Sequence, residues 1–99
     1  MTTLTENEAL DAIYQTIDDV NRQLPRGSTL AKSPLTVLTG EGGSLDSLGL
    51  ITLLVGIEDA LQSRGMQLAV LDEDALADAG GPYRTVGSLR DWMVERSSQ

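Results

Sequence analysis

Leu45-Asp46-Ser47-Leu48-Gly49-Leu50-Ile51-Thr52-Leu53-Leu54-Val55-Gly56-Ile57-Glu58-Asp59-Ala60-Leu61 is the stretch that decides the fold. Leu50, Leu53, Leu54, Ile57 and Leu61 recur at steps of three and four, which puts them on one face of an α-helix. At about 100° per residue, Leu48, Thr52, Val55 and Asp59 fall on the opposite face. A helix is therefore expected from near Ser47 to about Ser63. Asp46 or Ser47 can cap its start, and Gly65 ends it.

Upstream lies a long loop, residues 25–46, containing Pro25, Gly27, Pro34, Gly40, Gly42 and Gly43. Loops of that length in small domains are functional or disordered. Leu30, Leu35, Val37 and Leu38 can anchor this one, so it is read as ordered and wrapped against the core. Before it, Thr5-Glu6-Asn7-Glu8 has the form of a capping box, with Thr5 as N-cap and Glu8 at N3. Leu10, Ile13, Ile17, Val20 and Leu24 follow on one face, and Pro25 is expected to end that first helix.

Downstream, Met66 to Leu71 is a short apolar connection. Asp72-Glu73-Asp74 opens a short helix over roughly 72–79, closed by Gly80-Gly81-Pro82. Thr85 caps a last helix with Val86, Leu89 and Met93 inward and Trp92 flanking that face. The expected fold is all-α: a four-helix bundle with three longer helices, a short third helix and a long loop between helices one and two. Residues 1–99 form a single domain in this reading, with about 1–4 and 97–99 frayed. Leu10, Ile13, Ile17, Leu53, Leu54, Ile57, Leu61 and Leu89 are its expected core.

Composition removes most enzyme classes. The chain has no Cys and no His, so thiolate chemistry, a Ser-His-Asp triad and the commonest general base are all lacking. No catalytic constellation survives, and the chain is expected not to be an enzyme. Phe is absent too, so aliphatic side chains must fill the core. No apolar run approaches the roughly 20 residues of a membrane span. The start lacks the basic and apolar regions of a signal peptide, so a cytoplasmic protein is expected. Net charge is −8, with residues 41–80 carrying −7 of it. That balance disfavours nucleic acid and anionic membrane surfaces as partners.

Familiar motifs fail on inspection. Gly40-Glu41-Gly42-Gly43 is not followed by Gly-Lys-Ser/Thr, and Leu45 occupies the third position of a dinucleotide fingerprint. Counted from Asp72, a calcium loop would need Gly at Ala77 and Glu at Tyr83. Leu45-Asp46-Ser47-Leu48-Gly49 is half a nucleophile elbow in a chain with no His. No metal ligands are assigned.

Ser47 remains. It stands where a glycine-rich loop meets a helix N-terminus, with Asp46 before it and outward-facing Leu48 after it. A helix cap accounts for a serine there. So does a modification site, since a phosphodiester on Ser47 would lie at the positive end of the helix.

The chain resembles the acyl carrier protein family in Leu45-Asp46-Ser47-Leu48, in the helix ending Ile57-Glu58-Asp59-Ala60-Leu61, and in Thr85-Val86-Gly87-Ser88-Leu89 opening the last helix. The helix order and spacing fit nearly the whole chain. The resemblance implies a covalent 4′-phosphopantetheine on Ser47, flanked by Asp46 and Leu48. A separate magnesium-dependent phosphopantetheinyl transferase would supply it from coenzyme A. The prosthetic thiol would hold acyl intermediates as thioesters, chemistry a chain without Cys cannot do alone. Acyl-activating, acyltransferase or condensing enzymes would then be partners, in lipid or polyketide biosynthesis, and a monomer is expected.

Leu48, Thr52, Val55, Glu58 and Asp59 are the candidate docking residues. Gly49 and Thr52 stand where many fatty-acid carriers place acids. Gly80-Gly81-Pro82-Tyr83-Arg84 lengthens the link before the last helix, either as a neutral insertion or as a specificity element. Peptidyl carriers usually have Gly-Gly-His-Ser; a dedicated aminoacyl or peptidyl carrier is the alternative cargo reading. An acidic helical adaptor with no prosthetic group is the alternative from another class.

Overall fold

The computed structural model describes residues 3–24, 27, 29–40, 42, 43, 45–78 and 81–98. Among them the chain forms α1 (Glu6–Asn21), α2 (Ser47–Ser63), α3 (Glu73–Ala77) and α4 (Val86–Ser97). The fold is all-α, with a short third helix and a long loop between the first two. The Cα radius of gyration is 12.5 Å, close to the roughly 13 Å of a compact domain of this length. No helix of the described residues is long and apolar enough to cross a membrane.

Each helix starts on a side-chain cap. Thr5 accepts from Glu8 N at 3.1 Å and Glu8 returns a bond to Thr5 N at 3.0 Å, which is the capping box read from the sequence. Asp46, rather than Ser47, caps α2 by accepting from Gly49 N at 2.7 Å. Asp72 caps α3 and Thr85 caps α4. Such caps satisfy amides that the helix itself leaves open, at about 0.5–2 kcal/mol each. At its far end α2 closes where Met66 N donates to Leu61 O and Gly65 N to Gln62 O, the reciprocal pair of a Schellman stop.

α1 ends at Asn21 and not at Pro25. The Asn21 amide binds the Leu30 backbone in both directions, donating to its carbonyl at 2.9 Å and accepting from its N–H at 2.8 Å. That pair draws the loop across the helix end and buries Leu30. Leu24 packs on the core from outside the helix. Pro25 lies outside the described residues.

The loop is wrapped against the core, as expected, and is tied to the start of α4. Val86 N and Gly87 N, at the start of α4, donate to Thr36 O and Pro34 O, while Leu38 N donates to Arg84 O. Val37 and Thr85 form a single antiparallel bridge, and no strand occurs among the described residues. Leu30 and Leu38 are buried and Val37 is half-buried. Leu35 departs from the expected anchoring and is 86% exposed. It sits at the tip of a turn in which Leu35 N and Thr36 N both bond back to Ser33.

α1 packs against both α2 and α4. Ile13, Ile17, Leu53, Leu54, Ile57, Leu61 and Leu89 are fully buried, whereas Leu10, expected among them, is only partly so. Its position lies at the edge of the α1 stripe, and Ala9 and Ala12 take the buried places beside it. The chain ends are also tighter than expected. Leu4 is buried and donates its N–H to Ser97 Oγ at 3.0 Å, so residues 4 and 97 are pinned to each other instead of frayed. Met1, Thr2 and Gln99 lie outside the described residues.

Gly56 sets the approach of α1 to α2. A Cβ at this position would fall 2.6 Å from Cγ2 of Thr16, which is buried with its hydroxyl on Ala12 O. Alanine normally gains about 1 kcal/mol over glycine inside a helix. Gly56→Ala is expected to destabilise this protein nonetheless, because the buried Thr16 methyl has nowhere to move. Thr16→Ser removes that methyl and keeps the hydroxyl, so the double variant should recover most of the loss. Urea midpoints of the two single variants and the double variant check the coupling.

Candidate functional site

Ser47 is the first residue of α2, and its side chain is exposed. Asp46 orients the turn around it through its bond to Gly49 N. Leu48 follows at 74% exposure, so an apolar residue stands in water directly beside the serine hydroxyl. The amides of this first turn carry the positive end of the helix dipole, which favours an anion on the serine.

Ser47 opens onto a cavity of about 400 Å³. Its floor is Leu50, Ala75 and the Tyr83 ring, all buried. Leu45 and Leu76 form its walls, and Thr39, Asp46 and Asp78 its polar rim. Gly40 completes one edge. It has φ of +80°, and a Cβ there would lie 2.8 Å from Arg84 Nη1. Glycine is favoured here by the left-handed backbone, whereas the exposed Arg84 guanidinium could swing aside.

The cavity floor rests on a set of side-chain bonds. Tyr83 sits at 3% exposure, so its hydroxyl must find partners inside the protein. It donates to Val70 O and accepts from Asp72 N, on the segment that joins α2 to α3. The ring packs edge-on against Trp92 at 5.6 Å. Arg96 stacks over the other aromatic at 5.0 Å from the Trp92 centroid, pairs with Asp72 at 3.2 Å and donates to Ala69 O. Burial pushes the Tyr83 phenol above its ordinary pKa of 10.0; the bond from the Asp72 amide and the Arg96 charge oppose the shift, and the Asp72 and Glu58 carboxylates add to it.

The five candidate docking residues of α2 separate into two groups. Leu48, Thr52, Val55 and Asp59 are exposed, Val55 at 42%, and Ile51 joins Leu48 and Val55 to make a small apolar strip. The Thr52 hydroxyl turns back to Leu48 O at 2.8 Å, leaving its methyl as the outer group. Glu58 is different. It is half-buried, and its Oε2 accepts from Val70 N and Leu71 N, both at 2.8 Å. Its carboxylate is therefore committed to the chain's own backbone before any partner arrives. No family model, curated protein or solved structure matches this chain.

Tyr83, Arg84 and the α3 residues Ala75 and Leu76 were not singled out from the sequence as site residues. The Gly80-Gly81-Pro82-Tyr83-Arg84 stretch is read from the sequence only as a whole, as a neutral insertion or a specificity element, and Gly80 lies outside the described residues. Tyr83 instead enters the core, and Thr39 Oγ1 donates to its carbonyl at 3.0 Å. A lone aromatic among turn residues, in a chain with only three aromatics, was the available signal.

Because the folded protein holds Tyr83 neutral above its unfolded pKa, its contribution to stability is complete below about pH 10 and is lost as pH rises through and beyond that value. Urea unfolding followed by Trp92 fluorescence should show falling stability from about pH 10 upward. Tyr83→Phe should be less stable at neutral pH, and its alkaline slope should be flatter.

Proposed function

We propose that this chain is a carrier protein that holds acyl intermediates as thioesters on a 4′-phosphopantetheine arm attached to Ser47 and delivers them to partner enzymes. One observation carries the reading: an exposed serine in the first turn of an amphipathic helix, opening onto a cavity with an apolar floor. The residues present suit the group. Ser47 Oγ forms a phosphodiester by displacing 3′,5′-ADP from coenzyme A, and its proton passes to a base on the transferase. The chain has no His and Asp46 is engaged on Gly49 N, so this protein is a substrate of that step and not its catalyst. The first-turn amides favour the phosphodiester charge. Once bound, the group supplies the thiol that the chain lacks.

The cavity supports a short acyl cargo, sheltered on Leu50, Ala75, Leu76 and Tyr83. Asp46 and Asp78 on its rim favour a second cargo, one bearing a protonated amine, as an aminoacyl carrier would hold. Partners on this reading are a phosphopantetheinyl transferase and acyl-activating, acyltransferase or condensing enzymes in the cytoplasm, which a monomeric carrier visits in turn.

Incubation with coenzyme A and a broad-specificity phosphopantetheinyl transferase should add one phosphopantetheine to the intact mass. Ser47→Ala should add none while keeping the wild-type circular dichroism spectrum. An unchanged wild-type mass would leave the acidic adaptor as the better reading.

Docking is expected on the strip of Leu48, Ile51, Thr52 and Val55, edged by Asp59. Asp59→Lys should slow loading of the phosphopantetheinylated form by roughly three- to tenfold at low salt, with a smaller effect as salt screens the charge. Val55→Asp should slow it with little salt dependence. Loading rates against ionic strength separate the two.

A further inference from the structure

The segment between α2 and α3 makes almost no backbone hydrogen bonds of its own. From Gln67 to Leu71 the described contacts run to side chains of other elements. Val70 N and Leu71 N go to Glu58, Val70 O to Tyr83, and Ala69 O to Arg96. α3 follows directly and has only five residues, too few to hold itself as a helix. Its backbone also lacks the close helix neighbours that α1 shares with α2 and α4. Yet α3 supplies Ala75 and Leu76, and its C-cap Asp78, to the cavity beside Ser47. Gly81 N on Asp78 O holds the far end of that wall, and its near end is positioned by the side chains that clasp the segment before it.

Resting on the carrier reading above, we propose that Glu58 is a positioning residue for cargo: its carboxylate holds the α2–α3 segment down and thereby keeps the α3 wall closed over an acyl group lodged beside Ser47. Glu58 is the one member of the clasp that comes from α2, the helix that also carries Ser47, so it fixes the wall relative to the attachment point. A single oxygen receives two consecutive amides at 2.8 Å. Hydrogen bonds to an ionised acceptor are the stronger kind, and a part-buried amide, that of Val70, and the exposed amide of Leu71 lose their partner together when it goes. Release of the clasp frees the wall without unpacking α1, α2 or α4, because Ile57 and Leu61 on the inner face of α2 keep their own contacts. Glu58 thus acts on cargo exposure rather than as a free acid on the docking strip.

The test uses the full chain phosphopantetheinylated at Ser47 and loaded with an acetyl or a hexanoyl thioester. Glu58→Ala and Glu58→Asp remove or shorten the reach to Val70 and Leu71, while Glu58→Gln keeps an acceptor oxygen at the same reach. In the first two variants, amide exchange at Val70 and Leu71 should rise roughly ten- to a hundredfold. Exchange at Leu53 and Leu54 should stay near wild type. Hydrolysis of the hexanoyl thioester should accelerate at least roughly threefold, and that of the acetyl thioester, which has little to shelter, much less. Glu58→Gln should restore most of the protection. If Glu58→Ala does not fold, Glu58→Asp decides. Faster exchange with unchanged hexanoyl hydrolysis overturns the proposal, as does a uniform rise that includes Leu53 and Leu54. Failure of the wild type to gain mass at Ser47 overturns the carrier reading itself and is recognised before any variant is compared.

Discussion

A buried phenol ties this small fold together. The Tyr83 ring lies among apolar side chains, and its hydroxyl can remain there only because Val70 O and Asp72 N meet it. Leaving either partner unmade would cost about 1–3 kcal/mol. The requirement fixes three things together. It holds the segment 81–85 against the core, it pins the connection that leads into α3, and it places the ring as the floor of the cavity beside Ser47. The same segment receives the long loop, through Leu38 N on Arg84 O, Thr39 Oγ1 on Tyr83 O and the Val37–Thr85 bridge. Loop, short helix and last helix therefore share one anchor.

The remainder of the molecule is divided by stiffness. α1 packs on both α2 and α4, with Ile13, Ile17, Leu53, Ile57 and Leu89 fully buried. The Gly56–Thr16 approach leaves no slack between the first two. α3 has one buried residue, Ala75, and depends on borrowed bonds. A rigid platform that carries Ser47 thus faces a wall whose approach segment is held by side chains of other elements. On the carrier reading that asymmetry suits a site that must shelter a group and later give it up, since regions that open locally are those with few buried contacts.

Periodicity made the helices legible because it reports burial directly. The α2 phase assigned Leu50, Leu53, Leu54, Ile57 and Leu61 inward and Leu48, Thr52, Val55 and Asp59 outward, and the structure agrees at every one. Capping was readable at Thr5 and Thr85 and narrowed to Asp46 or Ser47 at α2, because these side chains act on amides only three residues away. What escaped was long-range. The end of α1 is set by Asn21 reaching Leu30, nine residues on. Glu58 reaches Val70 and Leu71 across a turn, and Tyr83 reaches back to Val70 and Asp72. Leu35 was misjudged for a related reason: apolarity signals burial, but a Ser33 turn put it at the tip. Of the site, the serine and its cap were visible in one tripeptide, while the cavity was not, since its lining comes from four separated segments.

Glu58 shows how the two scales interact. Read along the helix it stands beside Asp59 as one of a pair of exposed acids, and like charge at neighbouring positions suggests a common role. In space the two diverge. Asp59 is exposed, whereas Glu58 turns to the α2–α3 connection and spends its charge on two amides. A carboxylate with free water around it can steer a basic partner at long range, but one that already neutralises backbone dipoles offers less field outward and resists displacement. The acidic character of residues 41–80 is therefore not one uniform surface. Part of it faces solvent beside the apolar strip of Leu48, Ile51 and Val55. Part of it is structural: Asp46 and Asp72 cap helices, and Glu58 fastens a connection. A net charge of −8 therefore overstates the field that reaches solvent, and on α2 Asp59 is the acid left facing it.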